Sequence, residues 1–205
     1  MRTRIKICGI TRVEDATAAV RAGADAIGLV FAPGTPRYVE LEQAAMIARS
    51  VEPFVTVVGL VVDAEPARVR EILGRVRIAL LQFHGSETPD QCRLYNFPYI
   101  KAVRMQKDVD VNAQARAYSD AAGLLLDTFD TDVAGGIGRT FDWSRIPRDV
   151  AKPIILAGGL TAENVAEAVR AVHPYAVDVS SGVEKTKGVK DAAKIDAFVQ
   201  AVTTA

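Results

Sequence analysis

The sequence predicts an α/β protein, and within that class a single-domain (βα)8 TIM barrel that occupies residues 1–205. Three observations support this prediction: the chain length, the alternation of short apolar runs with amphipathic stretches, and the presence of eight such runs. Closed α/β barrels use about 200 to 250 residues as one unit, so this chain is long enough for one. Its 49% of hydrophobic and 24% of charged residues favour a packed core over disorder.

Each predicted strand is a short run rich in β-branched and other apolar residues. The runs cover residues 3–8, 25–30, 54–62, 77–83, 99–104, 122–127, 153–157 and 175–180. Helical periodicity recurs between them, at residues 13–23, 41–51, 65–73, 161–172 and 191–202. In the fourth of these helices Thr161 is predicted as the N-cap, because Asn164 follows three residues later. Parallel strands need such helical crossovers, so the alternation indicates a closed barrel; a doubly wound open sheet is the alternative.

Charge and cysteine content favour a small-molecule partner. The 25 basic residues balance 25 acidic ones without a basic run, which argues against binding to nucleic acid or to a membrane surface. We find no run of 18 apolar residues and no signal-peptide core near the N-terminus, so we expect a cytoplasmic protein. Cys8 and Cys92 are too few for a disulfide framework, and each is considered as a single thiol.

Two polar residues at strand ends are the candidates for chemistry, because the active sites of such barrels lie at the carboxyl ends of the strands. Strand alternation directs Lys6 and Cys8 into the barrel. A thiol beside an ammonium favours the thiolate, and so a base or nucleophile; a small buried hydrophobe is the alternative, and is what we expect of Cys92. Asp127 ends an otherwise apolar run and is a candidate acid, unless it merely caps the following turn.

Two loops rich in glycine and serine follow the seventh and eighth predicted strands and are predicted to bind phosphate, since their backbone N–H groups are unhindered. The residues concerned are Gly158, Gly159, Ser180, Ser181 and Gly182. A third glycine-rich run, residues 135–143, is predicted either to move over a ligand or to be a plain surface loop. No metal site is expected from the histidines, because His84 and His173 fall at opposite ends of the barrel; a carboxylate site for Mg²⁺ stays open.

Eight segments, in order along nearly the whole chain, resemble one family, the phosphoribosylanthranilate isomerases of tryptophan biosynthesis. They are KICGIT, FAPGTPRYV, LQFHG, IKAVR, LLLDT, GGIGRTFDW, AGGL and DVSSGVE. The resemblance implies an Amadori rearrangement of N-(5-phosphoribosyl)anthranilate to 1-(2-carboxyphenylamino)-1-deoxyribulose 5-phosphate. It implies general acid–base catalysis without a cofactor, in a monomer or a homodimer.

By this resemblance Asp127 is the general acid that protonates the ring oxygen, and Cys8 is the general base that removes the C2 proton. The implied substrate-binding residues are Arg37, which would hold the anthranilate carboxylate, and Gln82, His84 and Asp178, which would line the pocket. A structural or surface role is the alternative for each of these four. Lys6 either tunes Cys8 or closes the polar layer beneath it, and Gly9 is expected to leave room for substrate beside the thiol.

The sequence departs from the family's usual pattern at Thr35, Phe83, Ile137 and Arg139. A rival family, the histidine-pathway isomerases, performs the same rearrangement on a bis-phosphorylated substrate. It has an aspartate in place of Cys8 and a second phosphate loop, for which residues 61–66 and 83–87 are poor counterparts. A pentulose-phosphate epimerase would need metal-binding histidines that this sequence lacks. A non-catalytic sensor would need the phosphate loops, but not Cys8 and Asp127.

Overall fold

Eight parallel strands close into a barrel in chain order in a computed structural model, which describes residues 2–128 and 141–205. The strands are Arg4–Cys8 (β1), Ala26–Val30 (β2), Thr56–Val61 (β3), Leu80–Phe83 (β4), Tyr99–Arg104 (β5), Gly123–Asp127 (β6), Ile154–Leu156 (β7) and Ala176–Val179 (β8). Each predicted strand contains one of them, and β8 pairs with β1 to close the barrel. The predicted (βα)8 barrel is therefore confirmed, and the open doubly wound sheet is wrong.

The helices surround the barrel. They are Val13–Ala22 (α1), Leu41–Ser50 (α2), Pro66–Arg75 (α3), Pro89–Arg93 (α4), Val111–Ala117 (α5), Val165–Val172 (α6) and Ala192–Thr203 (α7). In the described part of the chain between β6 and β7, the regular structure is a 3-10 turn, Trp143–Arg145, instead of an α-helix. None of the helices in the described residues is both long and apolar enough to cross a membrane.

A short antiparallel hairpin lies between β8 and α7 and was not predicted. It consists of Glu184–Thr186 (β9) and Val189–Lys190 (β10), and it follows a 3-10 turn at Ser181–Val183. The run is too short and too polar to give a strand signal, because three of its side chains are lysines and its pairing is local. The hairpin brings Glu184 and Lys190 to the mouth of the barrel.

The alternation of side chains along the strands is confirmed by the apolar core. Ile5 and Ile7 pack between the barrel and the helices, whereas Cys8 joins an inner cluster with Val30 and Leu60. Burying a side chain of this size contributes about 1.5–3 kcal/mol, so the two faces of a strand are strongly distinguished. The core thereby fixes which side chains of each strand reach the interior of the barrel.

The predicted N-cap at Thr161 is wrong, because α6 begins four residues later, at Val165. Asn164 instead closes a turn: its Oδ1 accepts the Thr161 N–H at 2.9 Å, and its Nδ2 donates to the Gly159 carbonyl at 2.9 Å. The Asn164 side chain therefore braces the loop after β7. A spacing of three residues is shared by caps and by such turns, and the sequence does not distinguish between them.

Candidate active site

Cys8 ends β1 with its thiol inside the barrel, and the residue is 5% exposed. The register of β1 and β2 places Cys8 opposite Gly28. A Cβ atom on Gly28 would lie 2.7 Å from Cys8 Sγ and 3.2 Å from Lys6 Cε, so a larger residue would displace the thiol or the ammonium. Sequence reasoning missed Gly28, because its importance depends on the register between two strands.

Lys6 lies two residues before Cys8, on the same face of β1. In the parallel pairing of β1 with β8, Lys6 is opposite Asp178. Its Nζ donates to Asp178 Oδ1 at 2.8 Å, and both side chains are buried. Burial by itself lowers the pKa of Lys6, but the Asp178 carboxylate and the Cys8 thiolate outweigh burial and raise it above its ordinary value. Lys6 is therefore held as a cation, and Asp178 faces Lys6 within the barrel.

The Cys8 thiol has a raised pKa. Burial is the largest cause, Lys6 opposes it, and the charge of Asp178 raises the pKa further. Lys6 therefore favours the thiolate, as predicted, but burial, together with the charge of Asp178, outweighs its effect. A raised pKa favours the protonated thiol, so the group that can act as a base is the thiolate fraction.

Asp127 ends β6, which is separated from β1 by β7 and β8 around the closed barrel. Its Oδ1 accepts the backbone N–H of Thr128 at 2.8 Å, and its Oδ2 lies 3.1 Å from His84 Nε2. A Cβ atom on Gly158 would lie 2.9 Å from Asp127 Oδ1 and would overlap Thr128. Gly158 therefore also allows the loop after β7 to pack against the candidate acid.

Gln82 and His84 form a hydrogen-bonded chain that ends on Asp127. Gln82 Nε2 lies 2.8 Å from His84 Nδ1, which we assign as the acceptor. With this tautomer, His84 Nε2 carries the ring hydrogen and donates a hydrogen bond to Asp127 Oδ2. Gln82 is fully buried, and its Oε1 has no hydrogen-bond partner among residues 2–128 and 141–205. Gln82 and His84 were predicted to line the substrate pocket. In the structure His84 contacts the candidate acid directly, and Gln82 contacts His84.

A buried ion pair that sequence reasoning missed supports the loop that carries His84. Lys101 Nζ lies 2.9 Å from Glu87 Oε2 and donates to the Gly85 carbonyl at 2.6 Å. Glu87 Oε2 also accepts the Gly85 N–H at 2.9 Å, and Glu87 Oε1 accepts the Asp63 N–H at 2.8 Å. The pair thus ties the loop after β4 to the residues that follow β3 and to the middle of β5. The sequence signals of this ion pair were Lys101, a lysine within an apolar strand, and Glu87, a glutamate at a distance along the chain.

Arg37, in the loop after β2, crosses the end of β1. A Cβ atom on Gly9 would lie 2.5 Å from Arg37 Cδ and 3.1 Å from Ser180 Oγ. The space beside Gly9, which was expected to receive substrate, is therefore filled by the stem of Arg37 and by Ser180, and that expectation is wrong. Gly9 also has a φ of +73°, a conformation that favours glycine. The Arg37 guanidinium is paired with Glu184.

The two predicted phosphate loops meet at the mouth of the barrel. Gly158 and Gly159 have φ angles of +80° and +65°, which turn the chain sharply after β7. A Cβ atom on Gly182 would overlap the Leu160 carbonyl, so the loop after β8 packs directly on the loop after β7. A cleft of about 640 Å³ lies between these loops and α7. Its lining includes Thr161, Glu163, Ser181, Gly182, Asp191 and Lys194.

One sequence prediction falls on residues that the structure does not describe. The run at residues 135–143 lies largely outside the described residues, and so do Ile137 and Arg139. In the part of the chain that the structure describes, no three side chains of His, Cys, Asp or Glu form a group that could hold a metal ion.

Fold and site together define a class: a (βα)8 barrel with a thiol and a carboxylate across its mouth and glycine-rich loops on the strands between them. Residues 5–201 match the family model described as N-(5'phosphoribosyl)anthranilate (PRA) isomerase. The chain belongs to this family of isomerases, as its sequence motifs predict.

Similar proteins support the same assignment. The N-(5'-phosphoribosyl)anthranilate isomerase of Nitrosococcus oceani is 58% identical over 202 residues, which cover 98% of each chain. The crystal structure of phosphoribosyl anthranilate isomerase from Thermotoga maritima has a TM-score of 0.91 at 40% identity, over 99% of this chain and 100% of the other.

Two further solved structures bear on ligand and assembly. One is phosphoribosyl anthranilate isomerase in complex with reduced 1-(o-carboxyphenylamino)-1-deoxyribulose 5-phosphate, with a TM-score of 0.87 at 39% identity over 99% of this chain and 100% of that one. The other contains monomers generated from the dimeric Thermotoga maritima isomerase, with a TM-score of 0.87 at 38% identity over 99% and 100% of the two chains.

Proposed function

We propose that this chain is an isomerase of tryptophan biosynthesis, which converts N-(5-phosphoribosyl)anthranilate to 1-(2-carboxyphenylamino)-1-deoxyribulose 5-phosphate by general acid–base catalysis. The observation that carries the proposal is the order of strands. In the closed barrel, β7 and β8 lie between β6, which ends in Asp127, and β1, which ends in Cys8. A substrate whose phosphate lies on the loops after β7 and β8 therefore extends between the acid and the base.

The reaction moves protons at the ring oxygen, at C2 and at C1, and it ends with the loss of the proton from the C2 hydroxyl. Asp127 gives its proton to the furanose ring oxygen, the bond from C1 to that oxygen breaks, and the amine nitrogen becomes a Schiff base to C1. Cys8 then removes the proton from C2, and the electrons of the C–H bond form the C1–C2 double bond of an enolamine. A proton then adds to C1 and the C2 hydroxyl loses its proton, which yields the ketone. Each transfer contributes about 10²- to 10⁴-fold to the rate, and no step uses a cofactor.

The remaining predicted residues hold the substrate or the catalytic groups. Gly158, Gly159, Ser180, Ser181 and Gly182 bind the phosphate, and Arg37 binds the anthranilate carboxylate. Gln82 and His84 orient Asp127 through the hydrogen bonds that join the three side chains. Asp178 keeps Lys6 charged at the base of the site, in place of a direct contact with the sugar. The whole of residues 1–205 acts as one catalytic domain in the cytoplasm, without nucleic acid or membrane as a partner.

A direct assay tests the proposed reaction. Freshly made phosphoribosylanthranilate loses its fluorescence as it rearranges, and the indole-glycerol-phosphate step can be coupled to draw the product off. We expect the purified chain to accelerate this loss at least 10²-fold over buffer, since two acid–base steps are catalysed. The histidine-pathway substrate, run beside it, serves as the control. Turnover of that substrate alone would contradict the proposal.

We further propose that the chain forms a homodimer, since the Thermotoga maritima relative is dimeric. Phe54, in the loop between α2 and β3, is 104% exposed and has a φ of +72°, so its ring projects fully from the surface. Met46 of α2 is also about half exposed. We expect sedimentation equilibrium to give twice the chain mass, and Phe54→Asp to give the single mass. A single mass for the unaltered chain at high concentration would contradict the dimer.

A further inference from the structure

Arg37 and Glu184 form a bidentate ion pair beside the site. Arg37 Nε lies 2.7 Å from Glu184 Oε1, and Arg37 Nη2 lies 2.9 Å from Glu184 Oε2. The side chains are 13% and 6% exposed, so the pair is held in a largely water-free place. The hydrogen bonds that Arg37 donates to Glu184 raise the pKa of Arg37, which keeps the guanidinium charged. This contact uses the Nε–Nη2 edge of the guanidinium.

In the part of the chain that the structure describes, the hydrogen bonds of the Arg37 guanidinium run to Glu184 through its Nε–Nη2 edge. A guanidinium has five N–H donors in a fixed plane, and two of them point at Glu184. The pair of N–H groups on the Nη1–Nη2 edge matches the two oxygens of a second carboxylate. Because Glu184 holds one edge, the plane of the guanidinium is set before any ligand arrives. Arg37 is thus a preformed fork for a planar carboxylate.

Lys190 places a second basic group beside the ion pair of Arg37 and Glu184. Its Nζ lies 3.0 Å from Glu184 Oε1, its side chain is fully buried, and it also donates to the Ser180 carbonyl at 3.1 Å. Burial by itself would raise the pKa of Glu184, but Arg37 and Lys190 outweigh burial, and the pKa is lowered. Burial lowers the pKa of Lys190, and the Glu184 carboxylate opposes that shift. With Lys190 protonated, two cations surround one anion, and their net positive charge attracts a carboxylate.

The hairpin of β9 and β10 fixes the position of the pair against the loop of Arg37. A Cβ atom on Gly188, in the hairpin turn, would overlap the carbonyl of Pro36, so the two backbones touch. Thr11 Oγ1 also donates to the Gly188 carbonyl at 2.5 Å. The loops after β1 and β2 are therefore clamped to the hairpin that carries Glu184 and Lys190.

We propose that Glu184 and Lys190 are positioning residues that orient Arg37, and that this arrangement selects substrates whose arylamine carries a carboxylate next to the nitrogen. The inference rests on the proposed function, in which Arg37 binds that carboxylate. It adds that selectivity depends on two residues that do not touch the substrate. It also assigns a purpose to the hairpin, which is an addition to the eight strands of the barrel.

Two stable ligands test the proposal: reduced 1-(o-carboxyphenylamino)-1-deoxyribulose 5-phosphate and the same compound without its carboxyl group. Calorimetry gives the ratio of their dissociation constants for each variant. We expect a ratio of at least tenfold for the unaltered chain and a ratio near one for Arg37→Met, since a charge-assisted bidentate contact is lost. Glu184→Gln and Lys190→Met should each lower the ratio at least threefold, while affinity for the carboxyl-free ligand stays within twofold.

Double variants and kinetics separate positioning from general stabilisation. On the Arg37→Met background, Glu184→Gln should change the ratio no further, because its effect passes through Arg37. For turnover, Glu184→Gln should raise KM for phosphoribosylanthranilate with kcat within about threefold. Glu184→Asp keeps the negative charge, so its ratio of dissociation constants should lie between those of Glu184→Gln and the unaltered chain. It replaces Glu184→Gln in the test if that variant folds poorly. Glu71→Gln, which removes an exposed partner of Arg68 at 2.7 Å, is the matched control.

Two outcomes distinguish this inference from the proposed function. If the unaltered chain neither turns over phosphoribosylanthranilate nor binds the reduced product, the proposed function fails. If the unaltered chain discriminates between the two ligands but Glu184→Gln and Lys190→Met discriminate as well as it does, the positioning role alone is wrong. An equal loss of affinity for both ligands would likewise assign these residues a structural role and overturn the inference.

Discussion

Cys8→Ala and Asp127→Asn are each expected to lower kcat for phosphoribosylanthranilate by about 10²- to 10⁴-fold, because each removes one proton-transfer group. Neither change removes a group that holds the phosphate or the anthranilate carboxylate. Affinity for the reduced product should therefore stay within a few-fold of that of the unaltered chain. Steady-state fluorescence kinetics and calorimetry on the same preparations measure both quantities.

The chain offers matched controls for both substitutions. Cys92 is a second buried thiol, in α4, and burial raises its pKa to about 12, so Cys92→Ala should retain most of the activity. Asp90 is an exposed carboxylate that pairs with Arg93, and Asp90→Asn should have no measurable effect. Full activity in both Cys8→Ala and Asp127→Asn would show that the roles are assigned to the wrong residues.

Lys6→Met is expected to lower the free energy of unfolding by about 3–5 kcal/mol, because it leaves the buried Asp178 carboxylate without its partner. It should also raise the pKa of Cys8 further, since Lys6 is the neighbour that most lowers it. The thiolate fraction at pH 7 then falls, and the rise of kcat/KM with pH moves to higher pH. Urea denaturation and a pH–rate profile measure the two effects.

A double variant separates stability from catalysis at the same pair. Lys6→Met combined with Asp178→Leu removes both buried charges and should recover most of the lost stability, since no unpaired charge remains. It should not recover activity, because the ammonium that favours the Cys8 thiolate is still absent. Recovery of both stability and activity would mean that Lys6 only closes the polar layer beneath the thiol.

What the loops pack against, and not where the strands lie, explains the sequence-based predictions that were wrong. Gly9 was expected to leave room for substrate, yet Arg37 occupies that space. Thr161 was expected to cap a helix, yet Asn164 closes a turn there. Both errors concern what a loop packs against, and periodicity along one strand or helix carries no information on that.

The sequence by itself determined the eight strands, their inward and outward faces, and the positions of Cys8 and Asp127 at strand ends. Those features are local, because an alternation of period two and the burial of one face are set by neighbouring residues. Tertiary structure decided that Gly28 lies against Cys8, and that Glu184 reaches Arg37 across 147 residues of sequence. Closure of the barrel and the added hairpin bring these residues together, and contacts so distant in the chain follow from packing rather than from pattern.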